Sequence, residues 1–193
     1  MIGKQRNNLY PVFLKMEQLN VLIVGGGNVA LEKLTFLLKS SPNAKVKMVA
    51  PFFREETMAL ASKFSIEMIV DIYHEKYLSN KQMVIATTDK EVVNIAVYKD
   101  CKQQNILANV ADNPPYCDFY MGGIVTKGNV KIAISTNGKS PTTAKRLRQF
   151  LEEVIPENID DLVQNLNKYR KMLKGDFEQK VRTLNLFTRS LVE

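Results

Sequence analysis

The stretch Asn20-Val21-Leu22-Ile23-Val24-Gly25-Gly26-Gly27-Asn28-Val29-Ala30 constrains the fold more than any other part of the chain. Its first five residues have the length and apolar density of a buried parallel strand. Three glycines make a turn too tight for side chains. Val29, Ala30, Lys33, Leu34, Leu37 and Leu38 then recur at helical spacing. Strand, glycine turn and helix in this order match G-x-G-x-x-A, and each small residue has a physical task. Gly25 lets the strand turn, Gly27 lets the backbone approach a pyrophosphate, and Ala30 lets helix and strand pack closely. The helix N-terminus presents amides and a partial positive charge to phosphate. A dinucleotide is therefore expected at Gly25, Gly26 and Gly27.

The rest of the first half supports an α/β sheet. Strands are expected at residues 9–14 (a short edge strand), 45–50, 66–70, 83–87 and 107–110. Helices at 28–40, 54–63 and 90–104 alternate with them, with Met58, Ala59 and Leu60 facing inward in the second and Val93, Ala96 and Val97 in the third. Strands and helices at this spacing imply βαβ units and a parallel sheet covered on both faces. After residue 111 the pattern changes. Two short alternating runs, 124–126 and 130–135, flank the hairpin-like turn Lys127-Gly128-Asn129. Ser140 is a good N-cap and Pro141 a good first residue for a helix with Leu147, Phe150, Leu151 and Val154 as its buried stripe. Residues 158–193 are helical by pattern as far as Leu191, with Gly175 separating two helices. The expected domains are residues 1–112, 113–145 and 146–193.

Length and composition narrow the function classes. A chain of 193 residues can bury a core without disulfides or metal. No apolar run approaches the ~20 residues that span a bilayer, and no signal-type core follows the basic N-terminus, so the cytoplasm is expected. Cys101 and Cys117 are expected to be reduced thiols, and no Cys/His cluster has metal-site spacing. The net charge of +7 suits either simple solubility or a polyanionic partner. The basic residues are spread out and lack the aromatic interleaving of a nucleic-acid module, which favours a small carboxylate-rich ligand over nucleic acid.

The remaining candidates each carry a plain structural reading as well. The acid expected about 20 residues after the glycine turn is missing, since the second strand ends Val49-Ala50-Pro51-Phe52-Phe53-Arg54. Arg54 suits a ribose 2′-phosphate or plain surface charge, and surface charge is the preferred reading. Thr87, Thr88 and Asp89 stand at the carboxyl end of a strand, where ligands bind in open sheets, or they cap the helix that follows. Asn94 reads as a surface residue. Asp112, just past the fifth strand, is either a proton acceptor or metal ligand, or an Asx-turn residue before Pro114. From the pattern alone the turn is favoured. Ser135, Thr136, Asn137, Gly138, Lys139, Ser140 and Pro141 form a second glycine-containing turn at a helix start that suits carboxylates, with Lys145, Arg146 and Arg148 nearby. His74 reads as surface and Cys117 as an idle thiol.

Taken together these runs resemble the precorrin-2 dehydrogenase family, the N-terminal module of siroheme synthase and its stand-alone relatives. The matching elements occur in family order. They are Tyr10-Pro11-Val12-Phe13-Leu14, the Gly25 to Ala30 turn with Lys33, Val49-Ala50-Pro51, Val84 to Asp89 with Asn94, Asn109-Val110-Ala111-Asp112, Cys117-Asp118-Phe119, and Ile132 to Pro141. The resemblance spans residues 9–155 and is weak in the helical tail.

The resemblance implies a Rossmann-type NAD domain, a small β dimerisation region, a helical C-terminal domain, and a homodimer. It implies oxidation of precorrin-2, a tetrapyrrole, to sirohydrochlorin with NAD⁺ as hydride acceptor, in sirohaem biosynthesis. The family's key carboxylate falls on Asp112. Its cofactor contacts fall on Asn28 and Val29 and, after the second strand, on Pro51 and Phe52, which accounts for the missing acid. Thr87 and Asp89 join them at the neighbouring strand end, and Ser135, Thr136, Lys139 and Ser140 are substrate-binding candidates. The macrocycle is expected between NAD⁺ and the segment from Asp112 to Lys145. A serine that is phosphorylated in some relatives aligns with Thr136. Bifunctional members also insert Fe²⁺. With one histidine and no thiolate cluster, dehydrogenation alone is the reading here, and Asp112 is the group for a metal if chelation occurs. The chain departs from the family at Gly122-Gly123, where Pro-Ala is common, and at Lys127, where arginine is common and holds carboxylates in a fork. The methyltransferase module of the fused enzymes is absent from the 193 residues, so a separate protein is expected to supply precorrin-2. The competing readings are a non-catalytic NAD-binding regulatory sensor and a tetrapyrrole-binding chaperone.

Overall fold

The computed structural model describes residues 6–189, so Leu191 lies outside the described residues. Five strands form one parallel sheet: β1 (Asn20–Val24), β2 (Lys45–Ala50), β3 (Glu67–Val70), β4 (Met83–Ala86) and β5 (Leu107–Val110), in the order β3-β2-β1-β4-β5. Three crossover helices cover it: α1 (Asn28–Ser40), α2 (Glu55–Lys63) and α3 (Glu91–Gln103). Successive side chains on β1 point to opposite faces. Val21 and Ile23 pack with Ala30, Leu34 and Leu38 of α1 and Ala61 of α2. Leu22 and Val24 pack on the other face with Val97 and Cys101 of α3. Burial on both faces is why β1 reads as an unbroken apolar run rather than an alternating one. Each such side chain contributes roughly 1.5–3 kcal/mol by leaving water.

Three expectations about packing are corrected. Residues 9–14 form no strand, and Tyr10 and Phe13 are 87% and 67% exposed. The edge of β5 is taken by the returning chain. Asn109 bridges Cys117 in antiparallel sense, Asp118 N donates to Ala108 O at 2.8 Å, and Ala108 N donates to the Asp118 carboxylate at 2.9 Å. Pro11 also lacks the N–H that a paired strand would use. In α2, Thr57 and Ala61 are the buried positions, one turn apart, while Met58 is exposed. In α3, Asn94, Val97 and Cys101 face inward and Ala96 is exposed.

The contacts divide the chain between Met121 and Gly122. The second unit begins with an antiparallel pair, β6 (Gly123–Lys127) and β7 (Val130–Ile134), joined through Gly128 and Asn129. Three helices follow, α4 (Pro141–Val154), α5 (Ile159–Met172) and α6 (Phe177–Thr188). Ser140 caps α4, its Oγ accepting from Thr143 N at 3.2 Å, and Pro141 is the first helical residue. Asp176 and Gln179 form a capping box at α6. Asn129 donates both its backbone and side-chain N–H to Asp160 Oδ1 at 2.7 Å, which ties the hairpin turn to α5. Lys127 donates from Nζ to the Ile155 carbonyl at 2.6 Å and pairs with Glu157. Its side chain is 9% exposed, so this lysine closes the end of α4 rather than reaching for a ligand. The stripe expected to be buried on α4 is open instead. Leu147, Phe150 and Val154 are exposed, Phe150 at 58%.

Candidate functional site

The strand register brings the first unit's candidates to one edge. Val24 pairs with Val49 and Ala86, and Ala86 pairs with Val110. Gly25, Pro51, Thr87 and the Ala111–Asp112 pair therefore all leave the sheet at its carboxyl side. The strand order reverses between β1 and β4, so the crevice of an open α/β sheet opens beside Gly25 and Thr87.

The glycine turn is held from both sides. Gly25 adopts φ 128°, a conformation that L side chains rarely adopt, and an added Cβ would strike Thr87 Oγ1. Thr87 is buried, and its backbone N–H and hydroxyl both donate to Val24 O, at 2.8 and 2.9 Å. Gly26 is pressed against the Phe52 carbonyl. Its own carbonyl accepts from Arg54 N at 3.1 Å and from the buried Thr57 hydroxyl at 3.4 Å. Gly27 differs from both, since a Cβ there would meet nothing within 4 Å. Gly27 is also the N-cap of α1, with no side-chain cap and no acidic residue in the first turn. The leading amides of Asn28 and Val29 thus face open space beside a glycine, a cradle fitted to a pyrophosphate. Phe52 presents its ring 70% exposed next to this turn.

Arg54 is engaged elsewhere. Its guanidinium binds Glu56 at 3.0 Å, and that hydrogen bond holds the Glu56 carboxyl below its ordinary range.

Asn94, read from sequence as a surface residue, is buried and organises the β4–α3 loop. Its Oδ1 accepts from Thr88 N at 3.1 Å and from the Thr88 hydroxyl at 2.7 Å, while its Nδ2 donates to Thr88 O at 2.9 Å. The signal was its spacing with Val97 and Cys101, which marks the inner face of α3. Neither Thr88 nor Asp89 is the N-cap of α3, which is Lys90. The Asp89 carboxylate has no partner among the described residues. Replacing Asn94 with alanine removes all three bonds. The expected result is a KM for the dinucleotide raised about tenfold with kcat nearly unchanged, because the loop is loosened while the reacting groups stay intact. Steady-state kinetics check this.

Asp112 makes no Asx turn. It sits at φ 58°, left-handed backbone for a non-glycine residue, exposed, and its carboxylate has no partner among the described residues. The tight turn around it closes through Asn113 N to Val110 O at 3.2 Å. Strain of this kind costs on the order of 1 kcal/mol and concentrates at functional sites. The nearby acid behaves differently. Asp118 is bound to Lys102 at 2.7 Å and to the backbone of β5. Buried Asn109 fixes that segment, its Nδ2 donating to Phe119 O at 2.8 Å.

Both cysteines are free. Burial pushes the Cys101 thiol up to about 12 and raises that of Cys117, so neither is a thiolate at neutral pH. His74 is exposed. Among the described residues no cluster of three His, Cys, Asp or Glu side chains could hold a metal ion. No helix among them is long and apolar enough to cross a membrane.

The remaining candidates lie in the second unit. Asn137 and Gly138 turn the chain with φ 55° and 73°, and Lys139 N donates to Thr136 O at 3.1 Å. The Thr136 hydroxyl donates to Ser140 O at 3.1 Å, Ser135 Oγ accepts from Asn137 N at 3.1 Å, and Ser140 Oγ caps α4. These hydroxyls build the loop.

The sheet order, the open Gly27 and the amide-lined start of α1 define a dinucleotide-binding α/β protein. A model of an NAD(P)-binding family matches residues 12–123, and one for the central part of sirohaem biosynthesis proteins matches residues 127–153. The chain belongs to this NAD(P)-binding family, in a form that continues into the sirohaem-biosynthesis segment. It is 39% identical over 168 residues to the siroheme synthase of Pseudoalteromonas translucida, covering 87% of this chain and 35% of that protein. It is also 39% identical over 177 residues to that of Psychrobacter arcticus, covering 92% and 31%. The chain thus spans about a third of the length of these relatives. Its fold matches the solved structure of SirC, a precorrin-2 dehydrogenase, with a TM-score of 0.71 and 24% identity over 96% of this chain and 90% of that one.

Proposed function

We propose that this protein is an NAD-dependent oxidoreductase that converts precorrin-2 to sirohydrochlorin in sirohaem biosynthesis. The observation that carries the reading is an unpartnered carboxylate, Asp112, held in left-handed backbone on the same sheet edge as a glycine cradle open at Gly27. The siroheme synthase relatives supply the pathway, and the dehydrogenase fold supplies the reaction class.

The amides of Asn28 and Val29 would hold the pyrophosphate, with Gly25, Gly26 and Gly27 leaving it room. Pro51 and exposed Phe52 would offer an apolar platform to the adenosine end. Thr87 fixes the crevice floor, and Asp89 is free to accept from a ribose hydroxyl. The pairing of Arg54 with Glu56 favours NAD over NADP, because a 2′-phosphate would have to displace Glu56. Bound NAD⁺ supplies a hydride acceptor. Precorrin-2 loses two hydrogens, one as hydride and one as a proton, and Asp112 is the group placed to receive the proton. Ser135, Thr136, Lys139 and Ser140 are proposed to meet the substrate's carboxylates through the polar loop that they build. Dehydrogenation alone is the favoured activity, with Asp112 as the metal-facing group should chelation accompany it. The domains are proposed as residues 1–112 for NAD, 113–145 for dimerisation and substrate, and 146–193 as the helical part. The protein is placed in the cytoplasm.

The test is NADH formation when precorrin-2 is added to the purified protein with NAD⁺. Turnover dependent on both compounds is expected. Tight NAD⁺ binding without turnover would sink the enzyme reading and leave a regulatory sensor.

A homodimer is also proposed. A two-stranded sheet is marginal by itself, and only Val125 of β6 and β7 is buried, while α4 exposes Leu147, Phe150 and Val154. Light scattering is expected to give twice the chain mass, and Phe150→Glu to shift it toward the monomer.

A further inference from the structure

The amino edge of the parallel sheet, opposite the glycine cradle, gathers lysines that the dehydrogenase reading does not use. Lys45 opens β2 and Lys47 follows two residues later, so both side chains leave the same face. Lys81 lies two residues before β4. The register draws them together. Asn20 pairs with Lys45 and Leu22 with Lys47, while Gln82 N donates to Asn20 O at 3.1 Å. Lys45, Lys47 and Lys81, with Asn20, Val21 and Val46, line a cavity of about 190 Å³. None of these six residues is acidic. Glu67 of β3 engages Lys47 at 2.9 Å, and Lys45 has no carboxylate partner among the described residues. Lys81 is half-buried, and its Nζ donates to Ser79 O at 3.1 Å. Burial holds its ammonium below the usual lysine range, and the charge of Lys47 lowers it further against the opposing pull of Glu67.

Three ammonium groups around one cavity, with a single acid beside them, leave an excess of positive charge. A captured anion would answer it by charge alone, because the donors that could read an anion's shape are already spent. Asn20 Nδ2 donates to Asn80 O at 3.0 Å, and Asn20 N donates to Gln82 Oε1 at 2.8 Å. Conversion of one ammonium into an anion answers it as well, and that course has stricter requirements. It needs an amine that gives up its proton readily, an electrophile small enough to enter, and cations beside the product. Lys81 meets the first. The cavity has room for about six waters at ~30 Å³ each, enough for a triatomic electrophile. Lys45 and Lys47 meet the third.

We infer that Lys81 is a site of reversible carbamate formation with CO₂, the carbamate being held by Lys45 and Lys47. The lone pair of the neutral amine attacks the carbon of CO₂ and an N–C bond forms. One C–O π bond breaks with its electron pair going to oxygen, and the nitrogen gives one proton to water. Lys81 then carries a negative charge, and with Lys45, Lys47 and Glu67 the group becomes two cations and two anions. The site is independent of the cofactor edge and of the reaction proposed there. Equilibrating the full chain with ¹³C-bicarbonate, trapping carbamates as ethyl esters with triethyloxonium, and mapping peptides by mass tests it. A ¹³C-labelled ethyl carbamate at Lys81 is expected, well above any at the exposed Lys45. Lys47→Met should lower the Lys81 adduct about tenfold, since it removes a charge that both frees the amine and holds the product. Lys45→Met, which leaves the pair of Lys47 with Glu67 in place, should lower it as well, with the unfolding midpoint unchanged. Labelling spread evenly over the lysines, no adduct at Lys81, or equal adduct in both variants and the unmodified protein would overturn the site.

Discussion

Replacing Asp112 with asparagine is expected to lower NAD⁺-dependent turnover of precorrin-2 by about 10²–10⁴-fold, the usual contribution of a positioned general base. Affinity for NAD⁺ should stay within about twofold of the starting protein. Asparagine is the informative substitution because it shares aspartate's tolerance of left-handed backbone, so the φ of 58° survives. It also keeps the side-chain volume and removes only the ability to take up a proton. Alanine would confound the result by adding backbone strain at the same position. Because the carboxylate has no partner among the described residues, its loss leaves no orphaned group and should not move the unfolding midpoint. Turnover equal to that of the unmodified protein would remove Asp112 from the chemistry, whatever the cofactor affinity shows.

What the sequence reveals here follows the range of the forces involved. The turn at Gly25 to Gly27, the strand before it and the helix after it are legible because glycine freedom, strand burial and helical periodicity are local properties. The caps at Ser140 and the helix break at Gly175 are legible for the same reason. Residues decided by distant partners are not. Residues 9–14 read as a short edge strand but form none, and the β5 edge of the sheet is taken by Cys117 and Asp118, which return from farther along the chain. Asn94 looks like an ordinary polar helix residue until Thr88 folds back onto it. Lys127 shows in the sequence only as a departure from the family's arginine, and its engagement by the end of α4 is set by the distant Ile155 carbonyl. The stripe Leu147, Phe150 and Val154 shows the limit most clearly. Its amphipathic spacing says that something covers it, and within the described chain it is exposed. At the candidate site, position was legible for the strand-end residues, because a parallel register aligns them. The free state of the Asp112 carboxylate was not, since the Asx turn that would have engaged it is a matter of one side-chain rotation.

Two neighbouring glycines are expected to fail in opposite ways when replaced, and the contrast tests whether the turn is built for a ligand or only for packing. Gly26→Ala places a Cβ against the Phe52 carbonyl and within 2.9 Å of the Phe53 ring. The backbone carbonyl cannot swing aside, so overpacking should cost about 1–3 kcal/mol and lower the unfolding midpoint. A Cβ added at Gly27 meets no atom within 4 Å, and Gly27 has φ −87°, which any residue adopts, so Gly27→Asp introduces no clash at the backbone. Aspartate is moreover a preferred N-cap and sits at the positive end of α1, so the fold should be held or slightly stabilised. The same carboxylate fills the cradle, competes for the amides of Asn28 and Val29, and repels a pyrophosphate at close range. A like-charge contact near 4 Å at an effective dielectric of about 20 costs ~4 kcal/mol, enough for at least a hundredfold loss of NAD⁺ affinity. Thermal unfolding and NAD⁺ titration of both variants separate the two effects. If Gly27→Asp bound NAD⁺ normally, the open space beside α1 would have no part in cofactor binding, and the assignment of this edge would fail even if the fold were unchanged.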